Sequence, residues 1–204
     1  MNVCGSRLVG VKMEVNKYEW WATPIWEIET DLSRGFNDNL LKELDFLPKN
    51  SYYNIWDYKT PCLNVLKDQI FQALDRTVQP YFPNYYPYDP CIINGWVNKS
   101  SDGKDMALHD HGGAILACVY YVKAPEGSGD LQLVDPRGGV NWEWIQDDGS
   151  YNVKYKKIKP KEGTLVIFPG YVMHSVMKNE CKGERVSIAT NIHNGKLTTI
   201  NRDS

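Results

Sequence analysis

Gly163–Asn191, GTLVIFPGYVMHSVMKNECKGERVSIATN, reads as two strands around which the rest of the chain is organised. Ten residues separate His174 from Arg185, and Ser187 follows two places beyond the arginine. Alternate side chains of a strand share a face, so Arg185, Ser187, Ala189 and Asn191 point one way and Val186, Ile188 and Thr190 the other. A cation and a hydroxyl are thereby directed into one cavity. Upstream, Leu108–Val122 (LHDHGGAILACVYYV) carries His109 and His111, two apart and again expected on one strand face. The chain has four histidines, and three of them fall into this pattern. The fourth, His193, reads as a surface or satisfied core residue.

The 204 residues, 42% of them hydrophobic, suffice for one globular domain with a sizeable core. A formal net charge of -2 supplies no electrostatic footprint for nucleic acid or an anionic membrane, since phosphate recognition needs clustered Lys and Arg. The nearest basic run, Lys154–Lys161 (KYKKIKPK), is short and alternating and reads as a solvated strand or hairpin edge. Five cysteines, Cys4, Cys62, Cys91, Cys118 and Cys181, are odd in number, widely spaced and without a CxxC pair. They argue for reduced thiols in a cytoplasmic setting and against a zinc-thiolate or disulfide framework. No apolar run of signal-peptide or membrane-spanning length is found, so a soluble protein is expected.

Helical spacing is confined to the first half. Trp20–Ile28, interrupted by Pro24, suits an edge strand. Asp31 and Ser33 are N-cap candidates for a helix carrying Leu32, Phe36, Leu40, Leu41, Leu44 and Leu47 on one stripe until Pro48. Leu63–Gln79 places Leu63, Leu66, Ile70, Leu74 and Val78 on a second stripe, and the prolines from Pro80 to Pro90 end it. From Cys91 the period becomes that of strands: Cys91–Asn98, Ile115–Val122, Asp130–Val134, Tyr151–Ile158, Gly163–Phe168 and Arg185–Ile192, with turns at Glu126–Asp130 and Asp147–Ser150. Helices followed by antiparallel strands predict one α+β domain over 1–204, with N-terminal packing helices in a supporting region of about 18–90. These cover one face of a rolled double sheet, the core, over about 91–193.

Two imidazoles from one strand and a third from a distant strand can occupy one face of an octahedral iron and leave three positions open. A cation just beyond the third ligand can hold the far carboxylate of a dicarboxylic co-substrate, with Ser187 adding a hydrogen bond. Arg185 has an alternative in a structural salt bridge to Glu184 or Asp135. The carboxylate at Asp110 falls on the opposite strand face from His109 and His111. Gly112 and Gly113 leave open a local twist that would exchange Asp110 for His111.

HDH, CVYYV, GDLQLVDPRG, GTLVIFPGYVMH and ERVSIATN together resemble the iron(II)- and 2-oxoglutarate-dependent dioxygenases, in particular a group with an HxH, a VYY strand, a DPR turn and an FP…H…RxS ending. CVYYV and the FP pattern are also similar to the prolyl hydroxylases. The resemblance covers the C-terminal half well and WATPIW near the N-terminus weakly. It implies a double-stranded β-helix, the jelly-roll core of that superfamily, with Fe(II) and 2-oxoglutarate as cofactors. By it, His109 and His174 match the two histidine ligands, with His111 in the third position, where most members have a carboxylate. Arg185 matches the anchor of the 2-oxoglutarate C5 carboxylate, Tyr121 a hydrogen-bonding partner of that carboxylate, and Ser187 the hydroxyl of the RxS form. Asn94, Trp96, Asn98, Arg137 and Asn191 are expected to line the cavity.

The activity so implied is hydroxylation of an unactivated C–H bond, prolyl-hydroxylase-like among the options, coupled to decarboxylation of 2-oxoglutarate to succinate and carbon dioxide. The expected partners are 2-oxoglutarate, dioxygen and a small-molecule or peptide substrate, with a homodimer left open. Two other readings remain: a cupin-like metal-dependent enzyme that does not use 2-oxoglutarate, and a non-catalytic module binding metal or 2-oxoglutarate. Specificity is expected from loops at Asn50–Pro61, Tyr81–Pro90 and Asn141–Lys157.

Overall fold

A computed structural model describes residues 22–32, 35–48, 54–78, 80, 90–101, 103–137 and 154–194, and among these the chain forms two amphipathic helices and nine strands. Strand β1 (Trp26–Glu29) precedes helix α1 (Phe36–Phe46), and a single 3₁₀ turn (Ile55–Asp57) leads to helix α2 (Pro61–Thr77). The remaining strands are β2 (Pro90–Ser100), β3 (Met106–His109), β4 (Leu116–Lys123), β5 (Leu131–Val134), β6 (Tyr155–Ile158), β7 (Thr164–Pro169), β8 (His174–Val176) and β9 (Arg185–Asn194).

Helix α2 begins two residues earlier than its apolar stripe suggests. Thr60 is its N-cap, with Oγ1 accepting from Leu63 N, and Pro61 occupies the first turn, where a missing N–H costs nothing. Glu43 of α1 reaches the same end: its carboxylate accepts from Thr60 Oγ1 and from Cys62 N. Helix α1 departs from the expected caps. Asp31 does not serve; Gly35 is the N-cap, at φ 89°, without a side-chain cap, and Ser33 lies outside the described residues. Left-handed backbone at that point favours glycine over any other residue. Leu40, Leu44, Leu63, Leu66, Ile70 and Leu74 are buried together, each burial contributing about 1.5–3 kcal/mol.

The strands form two antiparallel sheets, one of five strands in the order β1-β7-β4-β9-β2 and one of four in the order β3-β8-β5-β6. From β2 onward successive strands cross between the sheets, apart from the β5–β6 hairpin, which gives the double-stranded β-helix. Alternation divides each central strand of the larger sheet. Leu116, Cys118 and Tyr120 of β4, Leu165 and Ile167 of β7, and Val186, Ile188 and Ile192 of β9 pack toward the helices. Ala117, Val119, Tyr121, Val166 and Phe168 face the smaller sheet and meet Leu131, Leu133 and Ile158. The opposite face of β9 therefore delivers Arg185, Ser187, Ala189 and Asn191 between the sheets. β1 is an edge strand beginning after Pro24, as expected, and the basic Lys156 and Lys157 lie exposed on the edge strand β6. Gly127, at φ 85°, turns the chain between β4 and β5. The turn expected at Asp147–Ser150 and most of the expected loops Tyr81–Pro90 and Asn141–Lys157 lie outside the described residues, whereas 54–61 of the first expected loop forms the 3₁₀ turn, with Ile55 and Trp56 buried, and the start of α2. Among the described residues no helix is long and apolar enough to cross a membrane.

Candidate metal centre and cation pocket

Register brings two of the histidines together. His109, the last residue of β3, is the cross-strand partner of His174, the first of β8, with ring centroids 4.3 Å apart. His111 arrives by a different route from the one its spacing suggests. The strand ends at His109, so His111 is not two places along the same strand; it sits in a turn. That turn is built by Asp110, whose Oδ1 accepts from Gly112 N at 3.0 Å, and by Gly112 at φ 51°. His111 N donates to Gly170 O at 2.9 Å, tying the turn to the loop before β8. The result is that Nε2 of His111 lies 3.1 Å from Nε2 of His174, while exposed Asp110 is engaged with its own turn.

Each imidazole has its other nitrogen held by an amide oxygen. His109 Nδ1 donates to Ala107 O at 2.8 Å, His174 Nδ1 to Val172 O at 2.9 Å, and His111 Nδ1 to Asn191 Oδ1 at 2.5 Å. A carbonyl oxygen only accepts, so the proton resides on Nδ1 and the Nε2 lone pair is free in all three rings. Burial reinforces this. His174 is 3% exposed, and burial, seconded by the two neighbouring histidines, drags its pKa down to about 4. Burial likewise lowers that of His111, against the pull of its Asn191 hydrogen bond. Three ligand nitrogens within 4.8 Å of one another, two with lone pairs facing at 3.1 Å, repel unless a cation lies between them. Adjacent donors on an octahedral ion with bonds of about 2.1 Å are ~3 Å apart, so the cluster can hold a divalent metal.

The second cluster lies on the larger sheet. Arg185 is 5% exposed, Ser187 1% and Tyr121 0%. Tyr121 is the cross-strand partner of Ser187 on one side, as Asn98 is on the other, and the Arg185 Cζ stands 5.3 Å from the Tyr121 ring centre. No carboxylate approaches Arg185 among the described residues. The proposed structural salt bridges are not formed, because Asp135 pairs with Arg137 at 2.6 Å and Glu184 is exposed. Among the described residues, Arg185 Nε and Tyr121 Oη are both buried without a well-aligned hydrogen-bond partner. Burial pushes the Tyr121 hydroxyl up to about 12, with the Arg185 charge opposing it, so it remains an O–H donor. A desolvated cation with a phenol beside it is costly to maintain, and an anion entering the pocket would relieve that cost.

The remaining expected residues divide. Trp96 lies nearly parallel to the His111 ring, at 20° and 5.7 Å. Asn98 is half-buried opposite Ser187, and Asn94 is exposed opposite Asn191. Arg137 has its guanidinium bonded to Asp135 through Nε and Nη2, which holds the DPR turn. His193 is half-buried, with its pKa lowered by burial. Phe168, edge-on to His174 at 4.9 Å, was not expected at the site, although the FP motif that marks it is visible in the sequence. The carbonyls of Ala107 and Val172 leave no sequence signal.

Residues 94–191 match the model of a family described as "Putative 2OG-Fe(II) oxygenase". No curated protein matches the chain. Among solved structures, HygX from Streptomyces hygroscopicus with nickel, 2-oxoglutarate and hygromycin B bound superposes with a TM-score of 0.61 at 12% identity, covering 85% of this chain and 84% of that one. The 2-oxoglutarate complex of the viral collagen prolyl hydroxylase of Paramecium Bursaria Chlorella virus-1 gives 0.54 at 18% identity, over 82% and 94%. A Pseudomonas putida prolyl-4-hydroxylase gives 0.52 at 16%, over 83% and 87%. At such identities these likenesses speak for the fold, and the double-stranded β-helix is common to all. The family match spans the segments that carry all three histidines, Tyr121 and the RxS stretch, and over these residues the chain is similar to the 2OG-Fe(II) oxygenases.

Proposed function

We propose that this protein is a 2OG-Fe(II) oxygenase, a hydroxylase that uses Fe(II) held by His109, His111 and His174 and 2-oxoglutarate held at its C5 carboxylate by Arg185, Ser187 and Tyr121. The observation that carries the reading is Arg185, a buried guanidinium without a carboxylate among the described residues, on the inner face of the larger sheet, while the smaller sheet brings His109 and His174 together. A dicarboxylate suits this pair of clusters: one end meets the metal and the other meets a cation. Bound iron would supply dioxygen activation coupled to decarboxylation of the oxo acid, yielding succinate and carbon dioxide.

The residues of the chain do the rest. The guanidinium fork orients the carboxylate, and Ser187 Oγ and Tyr121 Oη can each donate a hydrogen bond to it. Ala117, Val119 and Phe168, buried on the same inner face, exclude water from the space between the sheets. The alternative that dispenses with 2-oxoglutarate has no use for Arg185 in its present form. For the primary substrate we propose a small molecule or peptide bearing an unactivated C–H bond, prolyl residues included; the structural likeness to prolyl hydroxylases and to HygX supports both classes. The test is succinate release by the Fe(II)-loaded chain across peptide, amino-acid and small-molecule panels. Succinate formation that depends on both Fe(II) and Arg185 is the expected result, and release independent of either overturns the proposal.

A further inference from the structure

The three histidines are not held alike. His109 and His174 start or end strands, and each Nδ1 is held by a backbone carbonyl two residues earlier in its own segment. His111 has no such carbonyl. It stands in a turn flanked by exposed Asp110 and Gly112, and its Nδ1 is held by a side chain 80 residues away. We infer that Asn191 is the positioning residue for His111, fixing the ring in the tautomer that directs Nε2 at the metal, with Trp96 restraining its tilt. The inference rests on the metal centre proposed above and adds to it a residue that does not touch the metal.

Asn191 suits the task by place and by chemistry. It lies within β9 inside the five-stranded sheet, opposite Ala117 on one side and Asn94 on the other, so its backbone cannot follow the turn if the turn moves. Its amide oxygen accepts at 2.5 Å and leaves the Nδ1 proton where it is. Being neutral, the amide orients the ring without adding negative charge of its own to the three neutral ligands. Trp96 comes from β2, two positions from the partner of Asn191, and lies 20° from parallel to the same ring. Without Asn191, rotation about the Cβ–Cγ bond of His111 would turn its carbon edge toward His174. The Asn191 oxygen is thus committed to His111 and is not offered to substrate.

The test uses the full chain with ¹⁵N-labelled histidine, first without metal and then titrated with Co(II). In the metal-free wild type, His111 should be protonated at Nδ1 and bare at Nε2; Asn191→Ala should erase that preference, and Asn191→Asp, which keeps an acceptor, should retain it. Co(II) affinity should fall roughly 10–100-fold in Asn191→Ala, the usual effect of losing a partner behind a ligating histidine, and stay within several-fold in Asn191→Asp. Trp96→Leu should keep the tautomer and weaken Co(II) by a few fold, about the contribution of a ring contact. An unchanged His111 tautomer in Asn191→Ala, with Co(II) bound as in the wild type, overturns the positioning role alone. A wild type that binds no Co(II) overturns the metal centre and the role together.

Discussion

Replacing Arg185 by Met removes the charge while keeping much of the side-chain length, and the structure dictates two effects of different sign. The guanidinium is 5% exposed and lacks a carboxylate among the described residues, so it has been desolvated without an ionic return. Its described contact is the Tyr121 ring at 5.3 Å, an interaction of about 0.5–2 kcal/mol. Keeping a buried ion costs several kcal/mol. The metal-free Arg185→Met protein should therefore melt at the wild-type temperature or above it. Binding should move the other way. Truncating one partner of a buried charge pair costs about 2–5 kcal/mol, so 2-oxoglutarate affinity should fall roughly thirty- to several-thousand-fold. Iron affinity should hardly change, because the arginine does not touch the metal cluster. Calorimetric titration of the metal-loaded protein with 2-oxoglutarate, beside thermal melts of both forms, reads all three quantities. Wild-type affinity in Arg185→Met refutes the anchor; a strongly lowered melting temperature in the metal-free protein refutes the statement that the charge stands unpaired.

Tyr121→Phe deletes a hydroxyl whose neighbour among the described residues is the Arg185 cation, so stability should change little while 2-oxoglutarate binding weakens by about 1.5–3 kcal/mol, one hydrogen bond to a charged group, as the same titration would show. His174, with a pKa of about 4 when folded and an ordinary 6.5 when unfolded, takes up its proton more readily in the unfolded chain. Stability of the metal-free protein should be complete above pH 6.5 and decline as pH falls toward 4, and denaturant melts of His174→Gln should show a shallower decline. Leu66, 0% exposed between the helices and the sheet, should cost about 2–5 kcal/mol on replacement by Ala, measurable as a lowered urea midpoint at unchanged slope. Gly129→Ala should destabilise as well, since a Cβ there would lie 1.8 Å from the Met177 carbonyl oxygen, which is backbone and cannot turn aside.

Much of the fold is legible in the chain because the period of its apolar residues changes once. Leu63, Leu66, Ile70 and Leu74 repeat at helical spacing and are buried on one face of α2, and the alternation in Arg185–Asn191 correctly separates the two faces of β9. What escaped reading depends on distant contacts. Gly35 caps α1 through a left-handed backbone, for which the polar residues before it were weaker guides than expected. His111 reaches the cluster through a turn and not through strand parity, because Asp110 bonds to Gly112 N and redirects the chain after His109. The three Nδ1 acceptors were invisible for the same reason: two are carbonyls, which every residue has, and the third is a side chain on another strand. Whether a carboxylate stands near Arg185 depends on strands distant in sequence, and among the described residues none does.

The central claim is that three imidazoles, with Asp110 apart, hold iron to which 2-oxoglutarate binds. Anaerobic addition of 2-oxoglutarate to the Fe(II)-loaded protein, followed through the metal-to-ligand charge-transfer band of the chelate, tests it most directly. The band should require both components, persist in Asp110→Ala and vanish in His111→Ala. No band in the wild type, or its loss in Asp110→Ala with retention in His111→Ala, would contradict the account.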